Sequence, residues 1–352
     1  MKRQSLGTRW DDVNMESKTV YRRKRAGFIS ENWGILLGLL VLCVIISVAQ
    51  PTFLTPKNLL NIFRSVSSTG IIAFGMTLCI IINGIDLSQG SVIGLSACLC
   101  ALLVGDTMGL PDWVGIVGGI AVGAVVGMFN GFFLSFTSMP PFVVTLSSQL
   151  IARGFCYVVT KGKMLYCDSS FSVYGNGYLF EVIPLPVVYL LVIFVIMFIL
   201  LSKTKFGRYV YAIGGNREAA KFSGINIESV TWLVYTISGA LAGVCGIIAC
   251  SRVAQGSPIT GNGMEFDGVA ACYLGGISYL GGEGKIESTL IGAIVLGVVA
   301  NGMSMLLVPW YVQDIIRGAI ILGAVYFDVY RKTKEANALV ANGVNFLNKK
   351  EK

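Results

Sequence analysis

The sequence predicts an all-α polytopic membrane protein, and three observations carry that prediction. Charged residues make up only 13% of the chain and hydrophobic ones 54%, where a soluble domain carries about 25% charge. The deficit is concentrated in uncharged runs such as 182–202 and 229–251, each matching the about 20 apolar residues that cross a hydrocarbon core. The runs do not alternate apolar and polar residues as barrel strands do.

About ten transmembrane helices are expected, at 32–51, 66–83, 88–105, 113–136, 141–160, 182–202, 229–250, 267–280, 288–308 and 313–330. The run 113–152 is twice the usual length and is divided by the turn Ser138-Met139-Pro140-Pro141. The eighth span is short, with fifteen uncharged residues from Gly268 to Gly282, and the tenth opens with Asp314 and Arg317. Three parts follow: a basic tail over 1–30, a transmembrane domain over 31–331 with a polar loop at 203–228, and a second tail over 332–352. Some thirty polar residues precede the first apolar run without a small-residue cleavage site, so no cleavable signal peptide is expected.

Loop charge orients the bundle, because basic residues stay in the cytoplasm. The N-terminal tail carries Lys2, Arg3, Arg9, Lys18, Arg22, Arg23, Lys24 and Arg25; the 203–228 loop carries Lys203, Lys205, Arg208, Arg217 and Lys221; the C-terminal tail carries Arg331, Lys332, Lys334, Lys349, Lys350 and Lys352. Ten crossings put all three on one side, with both termini cytoplasmic. Asp106 and Asp112 fall outside, while Lys57 and Arg64 run against the rule. The net charge of +8 thus reflects topology and contact with anionic membrane lipid. No basic face is interleaved with aromatics, so a nucleic-acid partner is not expected.

Enzymatic chemistry has little to start from. Histidine is absent, which removes the commonest general base and metal ligand, and no catalytic or metal-binding residue is assigned. The nine cysteines are odd in number and sit mostly inside expected spans, giving no disulfide framework and no metal-ligand spacing. They read as small buried hydrophobes. Gly281–Lys285 (GGEGK) lacks the Lys-Ser/Thr ending and the strand of a phosphate loop.

The stretch Ala212–Asn226, AIGGNREAAKFSGIN, is a polar interruption between two apolar spans. After Gly214 and Gly215, Asn216 is a suitable N-cap, and Gly224 is a natural terminator after Arg217–Ser223. Two turns of helix, about 10 Å long, are unstable alone. The stretch is therefore either an ordinary loop with a helical turn or a docking helix held by a partner. In the second reading Ala219 and Ala220 keep one face flat and Phe222 is an apolar anchor.

Glu218-Ala219-Ala220, three further residues and Gly224 resemble the cytoplasmic loop by which ATP-binding cassette importers contact their ATPases. The wider string FGRYVYAIGGNREAAKFSGIN is similar to the ribose/galactose-type branch of monosaccharide permeases. So are PTFLTPKNLLNIFRSVSSTGIIAFGMTL, IINGIDLSQGSVIGLSA, GMFNG at 127–131, PFVVTL at 141–146 with Arg153-Gly154, EFDGVAACYLGGISYLGGEGKI, and NGMSML, in the same order. The match covers roughly residues 50 to 330. Gln89, Ser147-Ser148, Gly268 and the longer basic N-terminal extension depart from the family pattern.

The resemblance implies the membrane subunit of an ATP-driven monosaccharide importer of the bacterial inner membrane. It would form a homodimer with the pore at the interface, and be served by a cytoplasmic ATPase and an extracytoplasmic sugar-binding protein. ATP and Mg would sit on the ATPase, with no cofactor on this chain. The coupling residues would be Gly214, Gly215, Asn216, Glu218, Ala219, Ala220 and Gly224. Ribose, galactose, xylose and inositol all remain open as cargo.

Polar groups inside hydrocarbon are costly and tend to face a bundle interior or a water-filled path. Asn83, Asp86 and Ser88 surround a Gly84 break at the end of the second span, as at discontinuous helices. Asp86 either caps the third span or acts at the pore or gate; a secondary transporter using Asp86 as a proton or sodium site is the alternative function. Thr77, Asn130, Thr145, Gln149 and Asn301 can hydrogen-bond sugar hydroxyls, or else join helices. Glu265 and Asp267 read as a solvated or capping pair at an outer mouth, with Arg252 the one basic residue opposite. Gly115, Gly118, Gly119, Gly123 and Gly127 have the spacing of close helix packing. A faint echo links INGIDLSQGSVIG with GGISYLGGEGKIESTLIG.

Overall fold

The computed structural model describes residues 28–350, and the basic tail before Phe28 lies outside them. The helices are α1 (Phe28–Ala49), α2 (Pro56–Ile81), α3 (Gln89–Val104), α4 (Asp112–Phe136), α5 (Pro141–Thr160), α6 (Val173–Asn176), α7 (Leu185–Lys203), α8 (Lys205–Gly215), α9 (Arg217–Phe222), α10 (Ile227–Val253), α11 (Met264–Leu274), α12 (Ile286–Met305) and α13 (Trp310–Lys350). Among the described residues, α2, α4, α5, α7, α10 and α12 are long and apolar enough to cross a membrane, and Trp33–Ala49 and α3 are shorter apolar helices. Among the described residues four two-residue strands, β1 (Leu165–Tyr166), β2 (Tyr178–Leu179), β3 (Ile183–Pro184) and β4 (Gln255–Gly256), form two antiparallel pairs, β1 with β4 and β2 with β3.

Two of the expected spans are corrected. The second begins at Pro56, ten residues before the expected start at 66, because part of its polar start is taken up inside the protein, Asn58 being buried while Lys57 and Asn61 stay exposed. Asn58, for example, donates to the Phe53 carbonyl at 2.8 Å. The eighth is a helix of only eleven residues, about 16 Å at 1.5 Å per residue, too short for a hydrocarbon core of about 30 Å. The segment before it, between Val253 and Met264, is non-helical. Arg153 on α5 donates to the carbonyls of Pro258 at 2.5 Å and Thr260 at 2.9 Å. Irregular backbone at membrane depth requires such partners.

The centre is the crossing of α4 on α10, set by glycines. A Cβ at Gly123 would lie 2.3 Å from the Gly239 carbonyl, and one at Gly239 would lie 2.2 Å from the Gly123 carbonyl. Gly127 likewise faces α10, Gly119 lies between Ser96 of α3 and Ile247 of α10, and Gly118 faces Leu103 and Leu99 of α3. Dispersion between close backbones drives such association, because lipid is as apolar as the helices themselves.

Hydrogen bonds sort the connections into two ends. At one end β1 pairs with β4, Gly105 bridges Cys167, and Arg64 donates to the Asn176 carbonyl at 3.3 Å. Arg64 also lies over the Tyr178 ring, 4.9 Å from its centroid, so this charge is held by the connecting segments at this end. At the other end the 203–228 loop meets residues 81–84 and 281–284.

Candidate functional site

The 203–228 segment folds as two consecutive helices. Thr204 caps α8 by accepting from Gly207 N at 3.2 Å, and Asn216 caps α9 by accepting from Ala219 N at 2.9 Å. Gly224 ends α9 at φ +80°, the left-handed terminator that glycine adopts without cost. On α9, Arg217, Glu218, Ala219, Lys221 and Phe222 are exposed and Ala220 is buried. Phe222 is 88% exposed. The two alanines therefore divide: Ala220 seats the helix and Ala219 joins its open face.

The paired glycines also divide. Gly215 has open space where a Cβ would be, whereas Gly214 is buried against the Ile81 carbonyl and Gly282 N. Asn83, at φ 63°, donates to the Gly214 carbonyl at 3.1 Å. Gly282 N donates to the Ile81 carbonyl at 2.8 Å, and Tyr211 Oη donates to the Gly284 carbonyl at 2.8 Å. The end of α8 is thus wedged between the break after α2 and the turn before α12. These are the two segments of the sequence echo, and they meet the same loop.

Burial pushes the Tyr211 hydroxyl up to about 12, and the nearby Glu287 carboxylate adds to the rise. It remains a protonated donor at neutral pH.

The break leads into a buried polar cluster. Asp86 is 0% exposed. Its Oδ1 accepts from Ser88 N at 3.2 Å, Ser88 Oγ at 2.5 Å and Asn130 Nδ2 at 3.5 Å, and its Oδ2 accepts from Ser238 Oγ at 2.6 Å. Asn130 also donates to Ser88 Oγ at 2.9 Å, and Gln89 donates to Ser238 Oγ at 2.8 Å. Neutral donors from α4, α10 and the start of α3 thus surround the carboxylate and offset part of its desolvation. They tie three helices at one point. Ser238 and Gln89 were not singled out as partners in the sequence; Gln89 stood out there only as a departure from the family pattern.

The other polar candidates join elements in pairs. Thr77 Oγ1 donates to Ala73 at 2.7 Å and lies 2.8 Å from Thr289 Oγ1, joining α2 to α12. Asn301 and Asn58 exchange amide hydrogen bonds at 2.9 Å in both directions. Thr145 donates to the Ile85 carbonyl at 3.2 Å, beside the Asp86 cluster, and Gln149 donates to Glu265 Oε1 at 2.7 Å. The structure brings Asp86, Ser88 and Asn130 together and sets Thr145 next to them. Asn83 joins the loop, and Thr77, Gln149 and Asn301 lie apart.

Of the reading of Glu265 and Asp267 as a solvated or capping pair, the solvated half is corrected; both lie in the first turn of α11. Glu265 is 2% exposed, packed where a Cβ at Gly90 would collide with its Oε2. Asp267 pairs with Arg317 at 3.4 Å, so a charge of the eighth segment meets one of the tenth. Arg252 takes no part; its carbonyl accepts from Asn176 at 2.9 Å. The nine cysteines are free and seven of them are buried, in keeping with small hydrophobes, and Cys167 and Cys250 bring their sulfurs within 3.0 Å at the end where β1 meets β4.

The family described as branched-chain amino acid transport system / permease component matches residues 58–325. The ribose import permease protein RbsC of Bacillus subtilis is 40% identical over 311 residues, covering 87% of this chain and 96% of the relative. RbsC of Escherichia coli K12 is 38% identical over 298 residues, covering 83% and 92%. The xylose transport system permease protein XylH of Haemophilus influenzae is 33% identical over 363 residues, covering 85% and 96%. No solved structure matches the chain. A helical bundle with six candidate spans, and relatives aligned over nearly their whole length, agree: the chain belongs to the permease-component family of ATP-binding cassette importers, and is a multi-pass transport subunit of the membrane, not an enzyme.

Proposed function

We propose that this protein is the permease of an ATP-driven importer that moves a monosaccharide, ribose or a related pentose or hexose, across the bacterial cytoplasmic membrane. Relatives named for ribose, xylose, D-allose and L-arabinose support the substrate class. The observation that carries the mechanism is the seating of the 203–228 loop. Its capped helix α9 presents exposed Glu218, Ala219 and Phe222, while Gly214 at its base is wedged between Ile81 and Gly282.

In this reading the chain crosses the membrane about ten times, with both termini and the loop in the cytoplasm, and works as a homodimer. A cytoplasmic ATPase subunit, which holds ATP and Mg, docks on residues 214–224, and an extracytoplasmic sugar-binding protein delivers the cargo. Closure of the ATPases moves α9; Gly214 passes the displacement to Asn83 and so to the Asp86 cluster between α3, α4 and α10. The path candidates Thr77, Asn83, Asp86, Ser88, Asn130, Thr145, Gln149 and Asn301 then act by holding or releasing helix contacts. A proton- or sodium-coupled carrier built on Asp86 is not favoured, because the relatives are named as permeases of sugar import or transport systems and the carboxylate is enclosed by neutral donors.

The test is uptake of radiolabelled ribose, xylose and arabinose by cells carrying the complete transporter. ATP depletion should abolish uptake, and the chain should copurify with an ATPase. Glu218→Lys and Gly224→Trp should each uncouple ATP hydrolysis from uptake with the protein still inserted. Uptake that survives ATP depletion and collapses with a protonophore would sink this function. Normal uptake in both variants would sink the docking assignment.

A further inference from the structure

At the loop end of the bundle a cavity of about 370 Å³ lies between the break after α2, the turn joining α4 to α5, and the start of α9. Ligand pockets usually begin at about 300 Å³. Its polar lining is Asn83, Thr137, Ser138, Arg217, Thr231 and Tyr235, and no acidic side chain lines it. Two of these groups are left unsatisfied. Thr231, 3% exposed, has no partner for Oγ1. Tyr235, 1% exposed, forms no hydrogen bond of accepted geometry through Oη, although the Ile85 amide is close. Buried hydroxyls without partners are costly, and a ligand carrying hydroxyls would remove that cost.

The charge balance narrows the ligand. Arg217 is the one ionised group in the lining, and the 203–228 loop around it has five basic residues, Lys203, Lys205, Arg208, Arg217 and Lys221, against Glu218 and Glu228. A guanidinium at the rim suits a phosphate, which it can engage through two parallel hydrogen bonds. We infer that this cavity is a binding site for a small phosphorylated sugar. Its phosphate pairs with Arg217, and its hydroxyls satisfy Thr231 Oγ1 and Tyr235 Oη.

The ligand would bridge the first residue of α9 to the 137–141 turn and so hold the docking helix against the bundle. Import then slows when phosphorylated sugar accumulates inside. The class of reaction that supplies the ligand is phosphoryl transfer to an imported sugar. The inference rests on the cytoplasmic placement of the loop proposed above.

The experiment is calorimetric titration of the full-length chain in lipid nanodiscs with ribose 5-phosphate, ribose and inorganic phosphate. Ribose 5-phosphate should bind saturably, with the other two at least about tenfold weaker, as expected when either half of the contact set is lost. Arg217→Gln should weaken ribose 5-phosphate by about tenfold, Arg217→Lys by less, and Thr231→Val or Tyr235→Phe by severalfold. No binding, equal binding of ribose and ribose 5-phosphate, binding of phosphate alone, or affinity unchanged in all four variants would each overturn the proposal. A variant that leaves the monodisperse peak on gel filtration is replaced by the other three. Sugar uptake by the wild-type transporter is measured in parallel; loss of that uptake, and not absence of binding, would count against the import function.

Discussion

Gly214 stands so close to Ile81 that a Cβ at this position would lie 1.7 Å from the Ile81 carbonyl oxygen. Two residues 133 positions apart in sequence, 81 and 214, thus form a backbone joint between the docking loop and the membrane bundle. Gly215 has nothing within 4 Å of the same construction. Gly214→Val should therefore push α8 off the bundle and lower sugar uptake by about tenfold or more, a loss on the scale of overpacking a tight contact. Gly215→Ala should keep uptake near wild type. Equal loss in both would show that flexibility, and not the close approach to Ile81, is what the glycines supply.

Ser238 donates one of the four hydrogen bonds at Asp86, the one that holds Oδ2. Ser238→Ala leaves that oxygen buried without a donor and should cost about 1–3 kcal/mol, read as a lower unfolding midpoint in detergent. Asp86→Leu removes the acceptor for Ser88, Asn130 and Ser238 together and should be the more damaging change. Asp86→Asn keeps the shape and one acceptor oxygen, and should retain ATP-dependent uptake. If Asp86→Asn instead abolishes uptake while the protein stays as stable as wild type, the carboxylate acts in transport itself and not as a tie between helices.

Cys167 and Cys250, with sulfurs 3.0 Å apart, join the segment after β1 to the end of α10. The Cys167 backbone N–H also donates to the Ala254 carbonyl at 3.0 Å, which holds the strand in place. Diamide, which accepts the two thiol hydrogens, should close a disulfide here, detected as a linked peptide in non-reducing digests. Its hydrogen bond with Cys250 and then its burial hold the Cys167 thiol above the ordinary range. Because the thiolate is the reacting form, cross-linking should accelerate as pH rises. Ready alkylation of Cys167 with no linked peptide would show that the pair does not persist in the membrane.

Tyr211 offers a pH test of the joint. Its hydroxyl is raised by burial to about 12, against about 10 in an unfolded chain. The folded form therefore prefers the protonated phenol. The stability this contributes is fully present below about pH 10 and is lost as pH rises from about 10 to 12. Hydrogen exchange at residues 281–284 should thus be independent of pH, after correction for intrinsic rates, from neutral up to about pH 9. Tyr211→Phe should raise that exchange severalfold across the range, through loss of the bond to the Gly284 carbonyl.

The sequence by itself determined the elements whose cause is local. Hydropathy marked α4, α5, α7 and α10 to within a few residues, because a span is a property of about 20 consecutive side chains. The Asn216 cap and the Gly224 terminator were legible for the same reason: each acts within one turn of its own position. The family, too, was visible in co-linear motifs. Tertiary structure alone decided which polar groups meet. Asp86 finds Ser238, Asn58 finds Asn301, and Asp267 finds Arg317 across gaps of 152, 243 and 50 residues, 317 less 267 giving the last. Composition cannot say which helix faces which, so Glu265 read as solvated or capping although it is enclosed at Gly90, and the polar start of α2 was left outside the second span. Inside a membrane, burial of a polar group depends on whether another helix brings it a partner, and that follows from packing alone.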